Sequence, residues 1–191
     1  LAAHERRPFT FFVGVPVMFE RILDGAQKRG TSLDTLRYGV CGAAPMPPEV
    51  GVRWERATGG FFVEGHGMTE TSPIVAGTPM GPSRRLGALG LPFPSTDVRV
   101  VDPEDPDPDR EVPDGEPGEL LVRGPQVFAG YWEDEAATQA AILPGGWLRT
   151  GDVVRREDSF LWMADRKREL ILTGGFNVYP CLLYPSPRPP D

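Results

Sequence analysis

The sequence predicts a mixed architecture: an α/β unit with parallel strands, followed by a small antiparallel β unit of sandwich or barrel type. Two observations carry this expectation. Up to Arg84, short apolar runs alternate with stretches of helical spacing, in the order strand, helix, strand, helix, strand. Beyond Arg84 the texture changes to short strand candidates separated by turn residues, with one helical stretch among them. The 23 glycines and 22 prolines fall between apolar runs rather than in repeats, so they mark turns in a globular chain.

Each element has a local reason. FTFFVGVP (9–16) is an apolar strand running into a Gly/Pro turn. VPVMFERILDGAQKRG places Val17, Phe19, Ile22 and Leu23 at helical spacing and stops at Gly25 or Gly30. LRYGVC is a second strand, followed by GAAP. A helix then starts near Pro47 or Pro48, where proline suits the first turn. FFVEGHG is the third strand. In the second half, LGALGLPFP, DVRVVD, GELLVRG, WLRTGDVVRRE, FLWMADR and LILTGG are strand candidates, and DEAATQAAI (134–142) is the helical stretch. DPEDPDPDREVPDGEPGE (102–119) reads as a solvated loop. The corresponding division is residues 1–84 for the α/β part, 85–164 for the β-rich part and 165–180 for a hinge and a new domain. Residues 181–191, with four prolines in the last seven positions, read as a flexible or non-native tail.

Composition excludes several classes. A formal net charge of −7, with basic residues scattered in pairs, gives no stripe for nucleic acid. Two distant cysteines and two histidines supply neither a disulfide framework nor a zinc set. No apolar run approaches the ~18–20 residues of a membrane span.

The stretch EGHGMTETSP (64–73) carries the chemistry. Gly65 and Gly67 permit close backbone approach to a ligand, Thr69 supplies a hydroxyl, and Glu70 is a hard oxygen ligand suited to Mg²⁺. The same stretch also reads as a plain strand-to-helix turn capped by Thr69. It lacks the third glycine and long helix of a dinucleotide fingerprint, and neither a Walker A ending nor GxSxG occurs. Asp152, after a Thr-Gly turn, is placed to accept both hydroxyls of a ribose. Cys41 reads as a small apolar core residue, and Trp132 and Trp147 as packing.

Six segments in order, YGVCGAAPMP, VEGHGMTETSP, GALGLPFPSTDVRVVD, GEPGELLVRGPQVFAGYW, GGWLRTGDV and DRKRELILTGGFNVYP, run from Tyr38 to Pro180, within a likeness that extends over about residues 8–180. Together they resemble the adenylate-forming superfamily of acyl-CoA synthetases, luciferases and peptide-synthetase adenylation domains. Their wording most resembles bacterial long-chain fatty acid–CoA ligases. The resemblance implies the C-terminal part of the large adenylate-forming domain, βα units followed by an antiparallel β-barrel or sandwich, and the start of the small C-terminal domain. It also implies ATP, Mg²⁺, coenzyme A and a fatty acid as cofactor and substrates, a cytoplasmic location, and peripheral membrane contact through the lipid substrate.

By the same resemblance Thr69 contacts phosphate and Glu70 helps hold Mg²⁺, the two catalytic expectations. Asp152 and Arg166 bind the ribose, and Gly42, Ala43 and Ala44 lie beside the adenine. His66 stands where the family usually has a tyrosine that stacks on adenine; its other reading is a turn residue with no ligand. Gly67 and Met68 touch the mouth of the acyl tunnel, and Asp165 matches the interdomain hinge. Gly174 and Gly175 match a segment near the coenzyme A path, or form an ordinary tight turn. Carrier-protein loading and a non-catalytic AMP-binding module remain the alternatives. The family's phosphate loop and its C-terminal lysine are expected outside this chain. The isolated piece is therefore expected to lack ligase activity and to expose a sheet edge and an apolar face.

Overall fold

The structure is a computed structural model that describes residues 1–42, 46–166, 171–173 and 176–178. Its first sheet has the order β1 (Phe11–Gly14), β2 (Tyr38–Cys41), β3 (Phe61–Gly67), β4 (Ile74–Gly77) and β5 (Leu91–Pro92). The pairs β1–β2 and β2–β3 are parallel, as the alternating pattern predicts. Short helix α1 (Ala2–Arg6) precedes β1, and helices α2 (Pro16–Arg29) and α3 (Pro48–Thr58) make the crossovers.

Both crossover helices begin with proline at the first turn and end at a glycine in the left-handed region, Gly30 (φ 66°) and Gly59 (φ 67°). Gly25 therefore lies inside α2, which runs on to its second glycine. Phe19, Leu23 and Ala26 of α2 and Val50 and Trp54 of α3 face the sheet and are buried with Leu36, Cys41 and Phe62. Phe19 and Trp54 are fully buried; each aromatic ring of that kind contributes on the order of 2–3 kcal/mol. Glycine at 39 makes room for them, since a Cβ there would lie 2.7 Å from the Trp54 indole nitrogen. At the edge of this sheet, Phe11 and Val13 of β1 are exposed.

β3 has two kinds of partner. Its residues 61–64 pair in parallel with β2, and Gly65, His66 and Gly67 pair antiparallel with β4. Strand β4 is not legible in the sequence, because the turn residues and Pro73 mask its short apolar core. The first sheet continues beyond residue 84 to Pro92, although LGALGLPFP contributes only two strand residues.

The second sheet is antiparallel, in the order β10 (Phe160–Arg166), β9 (Trp147–Glu157), β7 (Gly118–Arg123), β6 (Asp97–Val101), with β8 (Ile142–Leu143) paired to β9. Helix α4 (Glu135–Ala141) is capped by Asp134, whose carboxylate accepts from Ala137 N at 2.8 Å. Val75 and Ala76 of β4 pack with Val100, Leu120, Val122, Val154 and Leu161, which joins the two sheets through one apolar cluster. Strands β11 (Ile171–Thr173) and β12 (Phe176–Val178) pair antiparallel.

Two sequence expectations are corrected here. The loop stops short of its expected end at 119: Glu119, which also falls within the strand candidate GELLVRG, is a buried strand residue paired with Arg149. Trp132 is 89% exposed rather than packed inside, whereas Trp147 is buried as expected. Among the described residues no helix is long and apolar enough to cross a membrane. The tail at 181–191 lies outside the described residues.

Candidate functional site

The parallel strands β1, β2 and β3 bring Gly14, Cys41 and Glu64 to the same end of the first sheet. Ligands of α/β sheets gather at carboxyl ends where the strand order changes, and β3 changes partner at this level. Gly42 N donates to Gly14 O at 3.4 Å, and a Cβ on Gly42 would lie 3.4 Å from Gly65 O. The start of the GAAP segment therefore abuts the GHG segment. Ala43 and Ala44 themselves lie outside the described residues.

Past Glu64 the strand carries a register shift between His66 and Gly67. Shifts of this kind re-aim side chains beside functional sites. A Cβ on Gly67 would overlap Pro73 O, so glycine is required by close approach of the returning chain. Residues 69–71 then form a single 3₁₀ turn with Met68 as its N-cap. The cap is made by Thr71, whose buried hydroxyl accepts from Met68 N at 3.2 Å and donates to Pro73 O at 2.8 Å. The expectation that Thr69 caps the turn is thus corrected: its side chain is exposed.

Glu70 is half-buried. Its carbonyl accepts from Phe128 N at 2.9 Å, and its Oε1 accepts from Tyr131 Oη at 2.9 Å. Tyr131 in turn stands edge-on to Phe128, with ring centroids 4.8 Å apart. Sequence reasoning missed Tyr131, although the GPQVFAGYW segment containing it had been singled out. Nothing local in that segment announces a partner 61 residues away.

Asp152 does not follow a turn between two strands. Thr150, Gly151 and Asp152 lie inside the continuous strand β9, where the register against β7 shifts between Glu119 and Leu121 and Gly151 adopts φ 72°. The resulting bulge is pinned on both sides. Thr150 Oγ1 donates to Leu120 O at 2.8 Å and accepts from Asp152 N at 3.1 Å. One residue earlier, Arg149 donates in bidentate fashion to Glu119, at 2.6 and 3.2 Å. The bulge turns the Asp152 carboxylate to His66, and His66 Nε2 lies 3.0 Å from Asp152 Oδ2. Both side chains are buried, at 7% and 10% exposure. The approach is close, but the geometry is not that of an aligned hydrogen bond. On the other side of β9, the ladder register sets Arg166 opposite Asp152.

The structure thus gathers Gly42, His66, Gly67 and Asp152 at one place, with Met68, Thr69 and Glu70 on the adjoining turn. Gly174 and Gly175 lie outside the described residues. Two further groups enter that sequence reasoning did not select or did not explain. Burial pushes the Glu64 carboxyl up to about 7, against a smaller opposing effect of Gly87 N, which donates to its Oε2 at 2.8 Å. Its register partner Cys41 is a buried free thiol pushed up to about 12 by burial and by the nearby Glu64, which keeps it an inert core residue. Among the described residues no group of three or more His, Cys, Asp or Glu could cage a metal ion. Shallow concavities lined by Leu36, Tyr38 and Phe61, and by Leu1, Arg21 and Arg29, share no residue with this cluster.

The pattern of the AMP-binding enzyme family matches residues 1–132. The chain belongs to that family. A long-chain-fatty-acid–CoA ligase of Yersinia pestis is 46% identical over 176 residues, 92% of this chain and 30% of that protein. The chain therefore spans about a third of the length of such AMP-binding relatives. Among solved structures, ATP-bound MatB from Rhodopseudomonas palustris superposes with a TM-score of 0.77 at 33% identity, covering 93% of this chain and 34% of that one. The amide bond synthetase McbA from Marinactinospora thermotolerans superposes with a TM-score of 0.81 at 31% identity, covering 93% and 35%. The fold expected from the sequence, the C-terminal part of an adenylate-forming domain, is that of these AMP-binding neighbours.

Proposed function

We propose that this chain is the nucleotide-binding section of an ATP-dependent acyl-CoA synthetase acting on long-chain fatty acids. The observation that carries the reading is the meeting of two distant segments. The His66–Asp152 contact brings the β9 bulge to the strand that leads, four residues on, to Glu70. A carboxylate at a sugar's reach and a second carboxylate on an adjoining turn match what a nucleoside triphosphate presents, a diol at one end and phosphates at the other.

In this reading the fatty acid carboxylate attacks the α-phosphorus of ATP and pyrophosphate leaves, giving an acyl-adenylate. The thiol of coenzyme A then attacks the acyl carbonyl and AMP leaves. Asp152 and Arg166 take the ribose hydroxyls, while Gly42, Ala43 and Ala44 flank the base. Gly67 and Met68 border the acyl chain, and Gly174 and Gly175 the path of coenzyme A. Thr69, exposed at the head of the 3₁₀ turn, donates its hydroxyl to phosphate. Glu70 fits Mg²⁺, an ion that takes one or two carboxylates and completes its shell with phosphate and water. The ion would supply charge neutralisation at the phosphates, and Tyr131 orients the Glu70 carboxylate toward that task. The domain division at residues 84, 164 and 180, a cytoplasmic location and peripheral membrane contact through the lipid belong to the same proposal.

The test is pyrophosphate release with ATP and palmitate by the intact polypeptide that carries this chain, with Glu70→Ala and Asp152→Ala alongside. We expect both variants to lose activity, Asp152→Ala through a raised KM for ATP. Turnover unchanged in both would overturn the assignment. The acceptor is the less constrained part. A neighbour named for amide bond synthesis shares this fold, so transfer to a carrier protein or an amine is the second reading, decided by replacing coenzyme A in the same assay.

A further inference from the structure

Resting on the ribose reading of Asp152, we infer that His66 is a positioning residue: its buried ring holds the Asp152 carboxylate toward the sugar hydroxyls, so His66 supports nucleotide binding through the ribose rather than by stacking on the base. Three features of the geometry lead there. The two side chains come from different sheets, β3 and β9, and each sits at a register shift that turns it into the same gap. The backbone of Asp152 is tethered through Thr150, so the direction of its carboxylate is set by the side chains around it, His66 among them. The His66 ring nitrogen is 3.0 Å from Oδ2 with both partners buried, where a polar contact is stronger than at the surface.

The ring nitrogen also lacks an aligned hydrogen bond although it lies 3.0 Å from the carboxylate oxygen, so a change of angle between the two groups is what a directed bond requires. A buried donor left unaligned is costly, and a ribose that orders the carboxylate would bring both groups into register. An imidazole offers less face for stacking than a larger aromatic ring does, but it brings a nitrogen to the carboxylate.

Two substitutions separate the roles. His66→Phe keeps a ring face and removes the nitrogen; His66→Gln removes the ring and keeps an N–H donor. Dissociation constants for AMP and 2′,3′-dideoxy-AMP are measured by titration calorimetry on the intact polypeptide that carries this chain. The unaltered protein is expected to prefer AMP by about 10-fold or more, the scale of a hydrogen bond to a charged group. In His66→Phe the preference falls to within about 3-fold, and in His66→Gln most of it returns. General damage to the fold weakens both ligands together and leaves the ratio unchanged. A full preference in His66→Phe, or equal loss for both ligands in both variants, overturns the positioning role while the ribose reading stands. If the unaltered protein itself fails to distinguish the two ligands, Asp152 is not a ribose carboxylate and both readings fall.

Discussion

Replacing Glu64 by glutamine removes a proton-binding group from the carboxyl end of β3 while keeping the shape of the side chain. Burial raises this carboxyl from an ordinary 4.5 to about 7. The folded protein therefore binds a proton at Glu64 between those values that the unfolded chain does not bind. The stability this contributes is fully present below about 4.5 and is lost as pH rises through about 7. At 1.36 kcal/mol per pKa unit, and allowing for the solvent that still reaches this half-buried group, the loss amounts to about 2–3 kcal/mol. Glutamine carries no such dependence, and its carbonyl oxygen still accepts from Gly87 N. The assay is urea unfolding of the unaltered protein and Glu64→Gln at pH 5, 6, 7 and 8, comparing the difference between them at each pH so that all shared titrations cancel. Glu64→Gln should gain about 2 kcal/mol on the unaltered protein between pH 5 and pH 8. Cys41, held near 12, does not titrate in this window. A difference that stays constant with pH, or that moves the other way, would refute the claim that the carboxyl is held out of water in the fold.

Three further outcomes are expected. Gly67→Ala forces a Cβ into Pro73 O and should lower unfolding free energy by about 2 kcal/mol or more, because a backbone atom cannot rotate away. Arg149→Met takes the bidentate partner from Glu119, which is 1% exposed, and should cost about 3 kcal/mol by urea unfolding, with part recovered when Glu119 is also replaced by methionine. Tyr131→Phe deletes the hydroxyl that donates to Glu70 and should lower kcat/KM for ATP by about 3–10-fold without changing thermal stability.

The crossover helices were legible because their signals are local. The spacing of Val17, Phe19, Ile22 and Leu23 marks α2, a glycine at 25 or 30 its end, and a proline at 47 or 48 the start of α3; the structure takes Gly30 and Pro48 and buries Phe19 and Leu23. Asp134 announced α4 in the same way. Where the reading erred, a longer-range partner decided the outcome. Glu119 lies where the acidic loop and the strand GELLVRG overlap, and strand pairing decides between them by burying it and supplying Arg149. Thr69 precedes a turn and looks like its cap, yet the returning chain at Pro73 engages Thr71. Trp132 looks like packing, yet it stands in solvent.

The candidate site divides the same way. The residue types at 66–70 and at 152, and the ordered motifs that mark an AMP-binding enzyme, were all present in the linear chain, because the roles proposed for them, backbone approach, metal ligation and diol binding, each demand particular side chains. That His66 meets Asp152, that Tyr131 reaches Glu70, and that Glu64 is desolvated beside Cys41 were decided only by the tertiary structure. The first and third depend on a register shift or a burial produced by elements distant in sequence and the second on a contact 61 residues away, and a shift of one residue in a strand turns its side chains to the opposite face without leaving any mark in the composition.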